Sequence, residues 1–229
     1  MSSYYRRHLP HYQPAGATYF VTFRLAGPLP VKVLLQLLDE KRELEERIKH
    51  SQTAQKRAEL WRLYYQKHFK CLDAFLEHNG SGPLWLAQPE IAQVVIDAIK
   101  FRDESNYDLY SYCIMPNHVH MVFRLLRNDD GNLDEFGGAD FSGDDGIKKR
   151  CPVTDIIGSL KKHTAMESNK ILLRSGPFWR SESYDRVVRD ADELDRILWY
   201  VLLNPVKARL VKSWSDWKWT YCKRGLLNF

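Results

Sequence analysis

Two strand-like runs separated by only two residues constrain the fold of this 229-residue chain more than any other feature. YDLYSYCIM (107–115) and HVHMVFRLL (118–126) are rich in β-branched and aromatic residues, as strands are. Pro116 and Asn117 lie between the runs and favour a turn. The pair therefore predicts two adjacent antiparallel strands, and the chain is expected to contain a sheet.

Further strands and helices are indicated on both sides of this pair. GATYFVTFRL (16–25) is typical of a strand, and residues 174–188 indicate a loop that leads into a short strand. Apolar spacing typical of helices occurs in four places: 31–77 as a helical hairpin broken near 50–55, 88–101 with Pro89 in its first turn, 153–173 capped by Thr154 or Asp155, and 190–205 ended by Pro205.

These elements predict one α+β domain over residues 1–229, in which an antiparallel β-sheet is packed with helices. The helical hairpin at about 31–78 is expected to be an insertion into that domain. Residues 128–147 are acidic and rich in glycine, and they predict a flexible loop.

The charge distribution indicates a polyanionic partner. The formal net charge is +5, but Asp129 to Asp145 contributes seven acidic residues and no Lys or Arg, so the rest of the chain carries +12. A basic body suits nucleic acid. The alternative is an ordinary solvated surface, and charge alone does not decide between the two.

The composition also indicates where in the cell the protein is located. No stretch approaches the about 20 apolar residues that span a bilayer, and the first residues have no apolar signal-peptide core. The four cysteines are scattered and form no CxxC pair, which favours reduced thiols. We therefore expect a soluble cytoplasmic protein with no membrane partner.

The strand at 118–126 carries an unusual pair of histidines. Side chains alternate across a strand, so Val119, Met121 and Phe123 should face the core while His118 and His120 share the opposite face. Two imidazoles in this arrangement can clamp a divalent metal ion. The alternative is two ordinary histidines on a half-buried strand, and two imidazoles alone make an incomplete site.

The helix at 190–205 offers the missing groups. Its apolar stripe contains Leu194, Ile197, Leu198, Val201 and Leu202. Tyr200 lies at the edge of that stripe, and Asn204 follows one turn later on the same side. A phenol and an amide can thus face one target. The alternative is a half-buried aromatic residue, and Pro205 disfavours helical geometry at Asn204.

Several segments together resemble the REP-associated tyrosine transposases, a branch of the single-tyrosine HUH transposases, in which U is an apolar residue. MPNHVH is similar to the HUH motif, and YVLLNPVKA is similar to the catalytic helix of the family. The likeness extends through most of the chain and includes GATYFVTFRL, YCIMPNHVHMVF, SLKKHTAMESNKILLRSGPFW, ESYDRVVRD, ELDRILWYVLLNPVKARLV and WSDWKWTY. The helical hairpin and the acidic loop look like insertions into the minimal fold.

This resemblance implies an activity and a site. Members of the family cleave and rejoin single-stranded DNA through a 5′-phosphotyrosine and recognise a palindrome that folds as a hairpin. Tyr200 would be the nucleophile, and His118, His120 and Asn204 would hold Mg²⁺ or Mn²⁺. The partner would be single-stranded or hairpin DNA of the repetitive extragenic palindrome type, bound by a monomer or a homodimer.

DNA binding calls for basic and aromatic side chains on one surface. For each candidate the alternative is a solvated charge or a core aromatic ring. The candidates are Arg6, Arg7, Lys161, Lys162, Arg174, Trp179, Arg180, Tyr184, Arg186 and Lys207.

Two other functions fit the same residues. The first is a domesticated DNA-binding protein that acts on chromosomal repeats without cleaving them. The second is a metal-dependent phosphodiesterase that uses water in place of Tyr200. A cleavage assay with a labelled hairpin substrate distinguishes the DNA-binding protein, which does not cleave, from a transposase. Detection of a covalent protein–DNA adduct would rule out the phosphodiesterase as the main activity.

Overall fold

A computed structural model of the chain describes residues 16–77, 82–126 and 152–227. Within these ranges the chain folds into two compact units. One lies within residues 27–82, and the other comprises residues 16–26 and the described part of 83–229. The predicted acidic loop at about 128–147 lies outside the described residues, as do Arg6 and Arg7.

The larger unit is built on a five-stranded sheet with strand order β4-β1-β3-β2-β5. Every neighbouring pair is antiparallel. The α+β fold with an antiparallel sheet is therefore confirmed. The strands are β1 (Thr18–Arg24), β2 (Tyr107–Ile114), β3 (His118–Leu125), β4 (Tyr184–Val187) and β5 (Thr220–Cys222).

The edge strand β5 was not predicted from the sequence. It has only three residues and lies in a tryptophan-rich segment, so it shows no alternation that could mark it. Its position comes from pairing with β2, where Ser111 lies opposite Cys222. Short edge strands are common, because they offer little unpaired backbone to other chains.

One face of the sheet carries the apolar core. Val119, Met121 and Phe123 of β3 are fully buried on this face, as expected from the alternation. They form one apolar cluster with residues of β1 and of the helices α3 (Pro89–Lys100) and α4 (Pro152–Ile171). Pro89 is the first residue of α3, as predicted.

The other face of the sheet is covered by α5 (Ala191–Lys207), which packs against β2, β3 and β5. Its buried side chains include Ile197, Leu198, Val201 and Leu202 of the predicted stripe. Strand β3 is therefore buried on both faces, and the two histidines lie under a helix instead of facing solvent.

The smaller unit contains the predicted helical hairpin. Helices α1 (Val31–Lys49) and α2 (Ala54–Glu77) pack against each other, and the break between them lies at 50–53. An ion pair joins them, since Nζ of Lys67 lies 3.1 Å from a carboxylate oxygen of Glu40.

Two expected helix ends differ from the structure. Helix α5 continues past Pro205 to Lys207, and the backbone N–H of Ala208 still donates to the carbonyl of Asn204 at 3.0 Å. Burial of Asn204 and Pro205 against the sheet outweighs the local preference against helical geometry before proline. Helix α4 begins at Pro152, so Thr154 and Asp155 lie within its first turn and neither residue is the cap.

No helix in the described ranges is both long enough and apolar enough to cross a membrane.

Glu193 ties the start of α5 to β4. The Asp190 side chain caps the helix by accepting from the Glu193 N–H at 2.7 Å. The Glu193 carboxylate accepts from the Arg189 backbone N–H at 2.8 Å, from Nε of Arg189 at 3.2 Å, and from the guanidinium of Arg186. Because its side chain is only 3% exposed, these bonds position the helix that carries Tyr200.

Replacing Glu193 by Gln is expected to lower the free energy of unfolding at pH 7 by about 2 kcal/mol, because charge-assisted hydrogen bonds to a buried carboxylate are lost. Burial alone would raise the pKa of Glu193, but the bonds from Arg189 and the charges of Arg186 and Arg189 hold the pKa below its ordinary value. Since the folded-state pKa is depressed, the stabilisation is present at neutral pH and is lost as the pH falls through that pKa.

Urea unfolding of both proteins measures this difference in the free energy of unfolding. It is carried out at pH 7 and at about pH 3, which is below the ordinary pKa of Glu. The difference between wild type and Glu193→Gln should shrink in acid. Asp195→Asn removes an exposed carboxylate from the same helix and is the control. A difference that stays constant with pH would contradict the assigned role.

Candidate metal centre and nucleophile

His118 and His120 lie side by side on β3, and both are fully buried. Their side chains point to the same face, as alternation along a strand requires. The two Nε2 atoms are 3.0 Å apart, and the ring centroids are 4.6 Å apart. The structure therefore brings the two imidazoles to one point on the face covered by α5.

Thr22 and Asn117 hold the outer nitrogens of the two rings. Oδ1 of Asn117 lies 2.6 Å from Nδ1 of His118, and Oγ1 of Thr22 lies 2.7 Å from Nδ1 of His120. When each Nδ1–H donates to its oxygen, the two Nε2 lone pairs face each other. Such lone pairs repel unless a cation or a shared proton lies between them.

Sequence reasoning missed both of these partners. Thr22 stands 98 residues before His120 and reaches it because the two residues are directly opposite in the β1–β3 pairing. Nothing in the sequence around Thr22 indicates this role. Asn117 is adjacent to His118 in MPNHVH, which is a signal that could have been followed.

Burial keeps both histidines neutral. Desolvation lowers the pKa of His118 to about 3. Desolvation, together with the nearby His118 and Lys207, lowers the pKa of His120 well below its ordinary value. A neutral imidazole is the form that binds metal ions, so the pair is in its ligand form at neutral pH.

Asn204 brings an amide to the same point from α5. Its side chain is fully buried, and Nδ2 lies 3.1 Å from Nε2 of His120. Oδ1 of Asn204 is buried and has no hydrogen-bond partner among the described residues. An unsatisfied buried acceptor costs roughly 1–3 kcal/mol, so this oxygen marks the place of a missing partner.

These three side chains fit a divalent metal ion. Two nitrogen ligands at about 2.1 Å from one octahedral ion, at right angles, lie about 3.0 Å apart. The separation of the two Nε2 atoms has this value. The orphaned oxygen of Asn204 would supply a third ligand, and three protein ligands leave positions open for substrate oxygens.

Tyr200 lies one helical turn before Asn204 and is half-buried. Its ring centroid is 5.4 Å from that of His120 and 5.8 Å from that of Phe20. The ammonium group of Lys207 lies 4.3 Å from the centre of the Tyr200 ring, where a cation–π interaction holds it. The expected nucleophile and the three expected metal ligands thus share one face of the sheet.

Two of the expected DNA-contacting side chains are buried. Lys161 is 8% exposed, and its ammonium group donates to the carbonyls of Ser181 and Glu182 and to the hydroxyl of Ser183 at 3.0–3.2 Å. Trp179 is 7% exposed and donates from Nε1 to Thr164 at 2.8 Å. Both side chains hold the segment before β4 in place.

Two of the expected arginines have partners within the protein. Arg174 lies over the Trp85 ring at 4.1 Å and donates to Oδ1 of Asn169 at 2.6 Å. Arg186 pairs with Glu193, as described above.

The remaining described candidates lie at or near the surface. Lys162, Arg180 and Lys207 are exposed. Tyr184 is half-buried, pairs with Thr22 across the β4–β1 ladder, and packs edge-on against Phe20 with ring centroids 6.2 Å apart. Tyr184 therefore lies on the same face of the sheet as the histidines.

No protein-family model matches the chain. A curated relative from Haemophilus influenzae, described as a REP-associated tyrosine transposase, is 24% identical over 121 residues, which are 52% of this chain and 61% of the relative. The match thus spans about three fifths of the length of that relative.

A solved structure, described as that of a REP-associated tyrosine transposase bound to a REP hairpin, aligns with 96% of this chain and 82% of that chain. The TM-score is 0.45 and the sequence identity is 15%. Over about half of its length the chain is therefore similar to a REP-associated tyrosine transposase.

Proposed function

We propose that the protein cleaves and rejoins single-stranded DNA through a covalent bond between Tyr200 and a 5′ phosphate. The observation that carries the proposal is the placement of the Tyr200 ring beside the facing Nε2 atoms of His118 and His120, with the orphaned Asn204 oxygen next to them. A phenol, two neutral imidazoles and an amide oxygen at one point suit phosphoryl transfer.

The covalent step exchanges one P–O bond for another and needs no oxidant, reductant or further reactant. The Tyr200 oxygen attacks the phosphorus, a new P–O bond forms, and the bond to the 3′ oxygen of the preceding nucleotide breaks. The phenolic proton leaves, and the departing 3′ oxygen gains a proton. One phosphodiester replaces another, so the free 3′-OH can reverse the reaction and rejoin a strand.

Each side chain of the site has a part in this scheme. His118, His120 and Asn204 would hold Mg²⁺ or Mn²⁺, which supplies charge neutralisation at the phosphate. Thr22 and Asn117 orient the two rings through their Nδ1 atoms, as partners of metal-binding histidines commonly do.

The substrate is proposed to be DNA that folds as a hairpin with a single-stranded flank. The solved relative is described as bound to a REP hairpin. In this chain, the exposed Lys162, Arg180 and Lys207 offer positive charge, and the half-buried Tyr184 offers a ring on the site face. Charged and aromatic groups together suit single strands, because bases stack on rings while cations contact phosphates.

Binding is expected to weaken steeply as salt rises and to favour the hairpin with a flank over a perfect duplex. Each phosphate contact contributes about −0.7 to the slope of log K against log salt for single strands. Fluorescence anisotropy at several salt concentrations, in the presence of a chelator, measures this. Equal affinity for a blunt duplex of the same length would contradict the proposed substrate.

The activity is tested with a hairpin substrate labelled on either side of the flank and incubated with Mg²⁺ or Mn²⁺. We expect strand cleavage that a chelator abolishes, and a labelled adduct that survives denaturation. Tight binding without cleavage would favour the domesticated DNA-binding protein. Cleavage without an adduct would favour the phosphodiesterase that uses water.

A further inference from the structure

Arg24 lies beside the histidine pair. The residues around it in the sequence predict only a strand and no functional role. In the β1–β3 pairing it is directly opposite His118, as Thr22 is opposite His120. Residues directly opposite in an antiparallel pair point to the same face, with Cβ atoms about 5 Å apart. The bond between Thr22 and His120 identifies that face as the one that carries the site. The Arg24 side chain therefore leaves the sheet at the edge of the proposed metal centre.

A second arginine is held next to Arg24 by the backbone. The N–H of Arg180 donates to the carbonyl of Arg24 at 3.0 Å, and the neighbouring residues Leu25 and Trp179 form an antiparallel bridge. The Arg180 side chain is exposed and makes no hydrogen bond or ion pair with any residue in the described ranges.

The segment that carries Arg180 is anchored on both sides. Before it, the Trp179 ring packs edge-on against Phe23 with centroids 4.9 Å apart and bonds to Thr164. After it, Lys161 holds the backbone carbonyls of residues 181 and 182. The backbone at Arg180 is thus positioned before any ligand binds, which reduces the entropy lost on binding.

The two guanidinium groups repel each other. Partial burial, followed by the charge of Arg180, lowers the pKa of Arg24 to about 10, and the opposing effect of Glu182 is smaller. An anion bound between two guanidinium groups would offset the repulsion between them. A phosphate is the anion that two planar guanidinium groups match best, because each can donate two parallel hydrogen bonds.

We propose that Arg24 and Arg180 form a phosphate-binding pair that holds a phosphodiester group of the substrate strand next to the one that Tyr200 attacks. The proposal rests on the proposed function for the identity of the strand. In this proposal Arg24 positions the substrate. Arg180 binds one defined phosphate, whereas the exposed lysines would contact the DNA less specifically.

Binding is measured first, with the Tyr200→Phe protein in chelator, so that neither cleavage nor metal enters the result. Arg24→Gln and Arg180→Gln are each expected to weaken binding of a hairpin with a single-stranded flank about tenfold at low salt. The double variant should lower the slope of log K against log salt by about 0.7, because the contact with one phosphate is lost. Lys100→Gln removes an exposed charge from α3, on the opposite side of the sheet, and should leave both quantities unchanged.

The position of the bound phosphate is measured by replacing single phosphates of the flank with uncharged methylphosphonate. With the parent protein, we expect one position adjacent to the cleavage site to lose about tenfold in affinity. With Arg180→Gln, the same replacement should cost less than about twofold, because the two changes remove one interaction. The Arg180 side chain is exposed, so this variant keeps the test valid even where Arg24→Gln does not fold.

Equal losses in the parent and in Arg180→Gln at every position would overturn the phosphate-binding pair. Such a result would leave cleavage by the wild type untouched. Conversely, coupling at one position with no cleavage in Mg²⁺ or Mn²⁺ would support the pair while the proposed chemistry failed. The two proposals are therefore tested separately.

Discussion

Tyr200→Phe is expected to reduce DNA cleavage to background while folding and hairpin binding persist. The substitution removes one oxygen and keeps the ring that packs between Phe20, His120 and Lys207. Tyr200 is half-buried, and loss of a single hydroxyl costs on the order of 1 kcal/mol in stability. Cleavage falls because the attacking atom itself is absent, and a group that forms the covalent bond has no substitute in the mechanism.

The adduct identifies the nucleophile directly. After the wild-type reaction is trapped and digested, mass spectrometry should find DNA attached through its 5′ phosphate to the peptide that contains ILWYVLLNPVK. Tyr184→Phe is the matched control, because Tyr184 lies on the same face of the sheet and also packs against Phe20. This variant should still cleave. DNA attached to Tyr184 would keep the mechanism and move the site, and cleavage by Tyr200→Phe without any adduct would point to water.

His118→Ala or His120→Ala is expected to abolish metal-dependent cleavage and to remove metal binding, while hairpin affinity stays within a few-fold of wild type. The two Nε2 atoms face each other at 3.0 Å, so loss of either ring halves the nitrogen ligands. Most DNA affinity should come from phosphate contacts elsewhere. Two imidazoles are softer ligands than the oxygens that Mg²⁺ prefers, and we therefore expect Mn²⁺ to bind more tightly than Mg²⁺.

Metal binding is measured by calorimetry or by the electron paramagnetic resonance of Mn²⁺, which does not depend on activity. His163→Ala is the matched control, because His163 is exposed on α4 and should leave metal binding unchanged. Thr22→Val should lower metal affinity by about 10- to 100-fold without removing a ligand, since it frees Nδ1 of His120. Cleavage that continues undiminished in chelator, or in either alanine variant, would mean that the pair is structural.

The elements that carry the site could be predicted because their signals are local. The period of two along residues 118–125 separates His118 and His120 from Val119 and Met121, whatever the rest of the chain does. The period of 3.6 along α5 places Tyr200 and Asn204 on one side of a helix in the same way. Such patterns reflect only neighbouring residues, so they can be read without knowing what the helix and the strand pack against.

Tertiary structure alone decided which distant residues join the site. Thr22 and Arg24 face the histidines because β1 pairs with β3 in one register, and a shift by one residue would turn both side chains to the other face. Tertiary packing also decides that Lys161 is buried, since its ammonium group donates to the segment before β4.

Asn204 shows the two levels in conflict. Local preference at a residue before proline argues against helix, yet α5 runs on to Lys207 and keeps the Asn204 amide beside His120. Burial of that turn against the sheet provides more stabilisation than the local preference removes. Because this packing involves strands that are distant in the sequence, the residues around Asn204 do not reveal it. The sequence by itself therefore determined the chemistry of the strand and of the helix, whereas the register and packing of the sheet determined their partners.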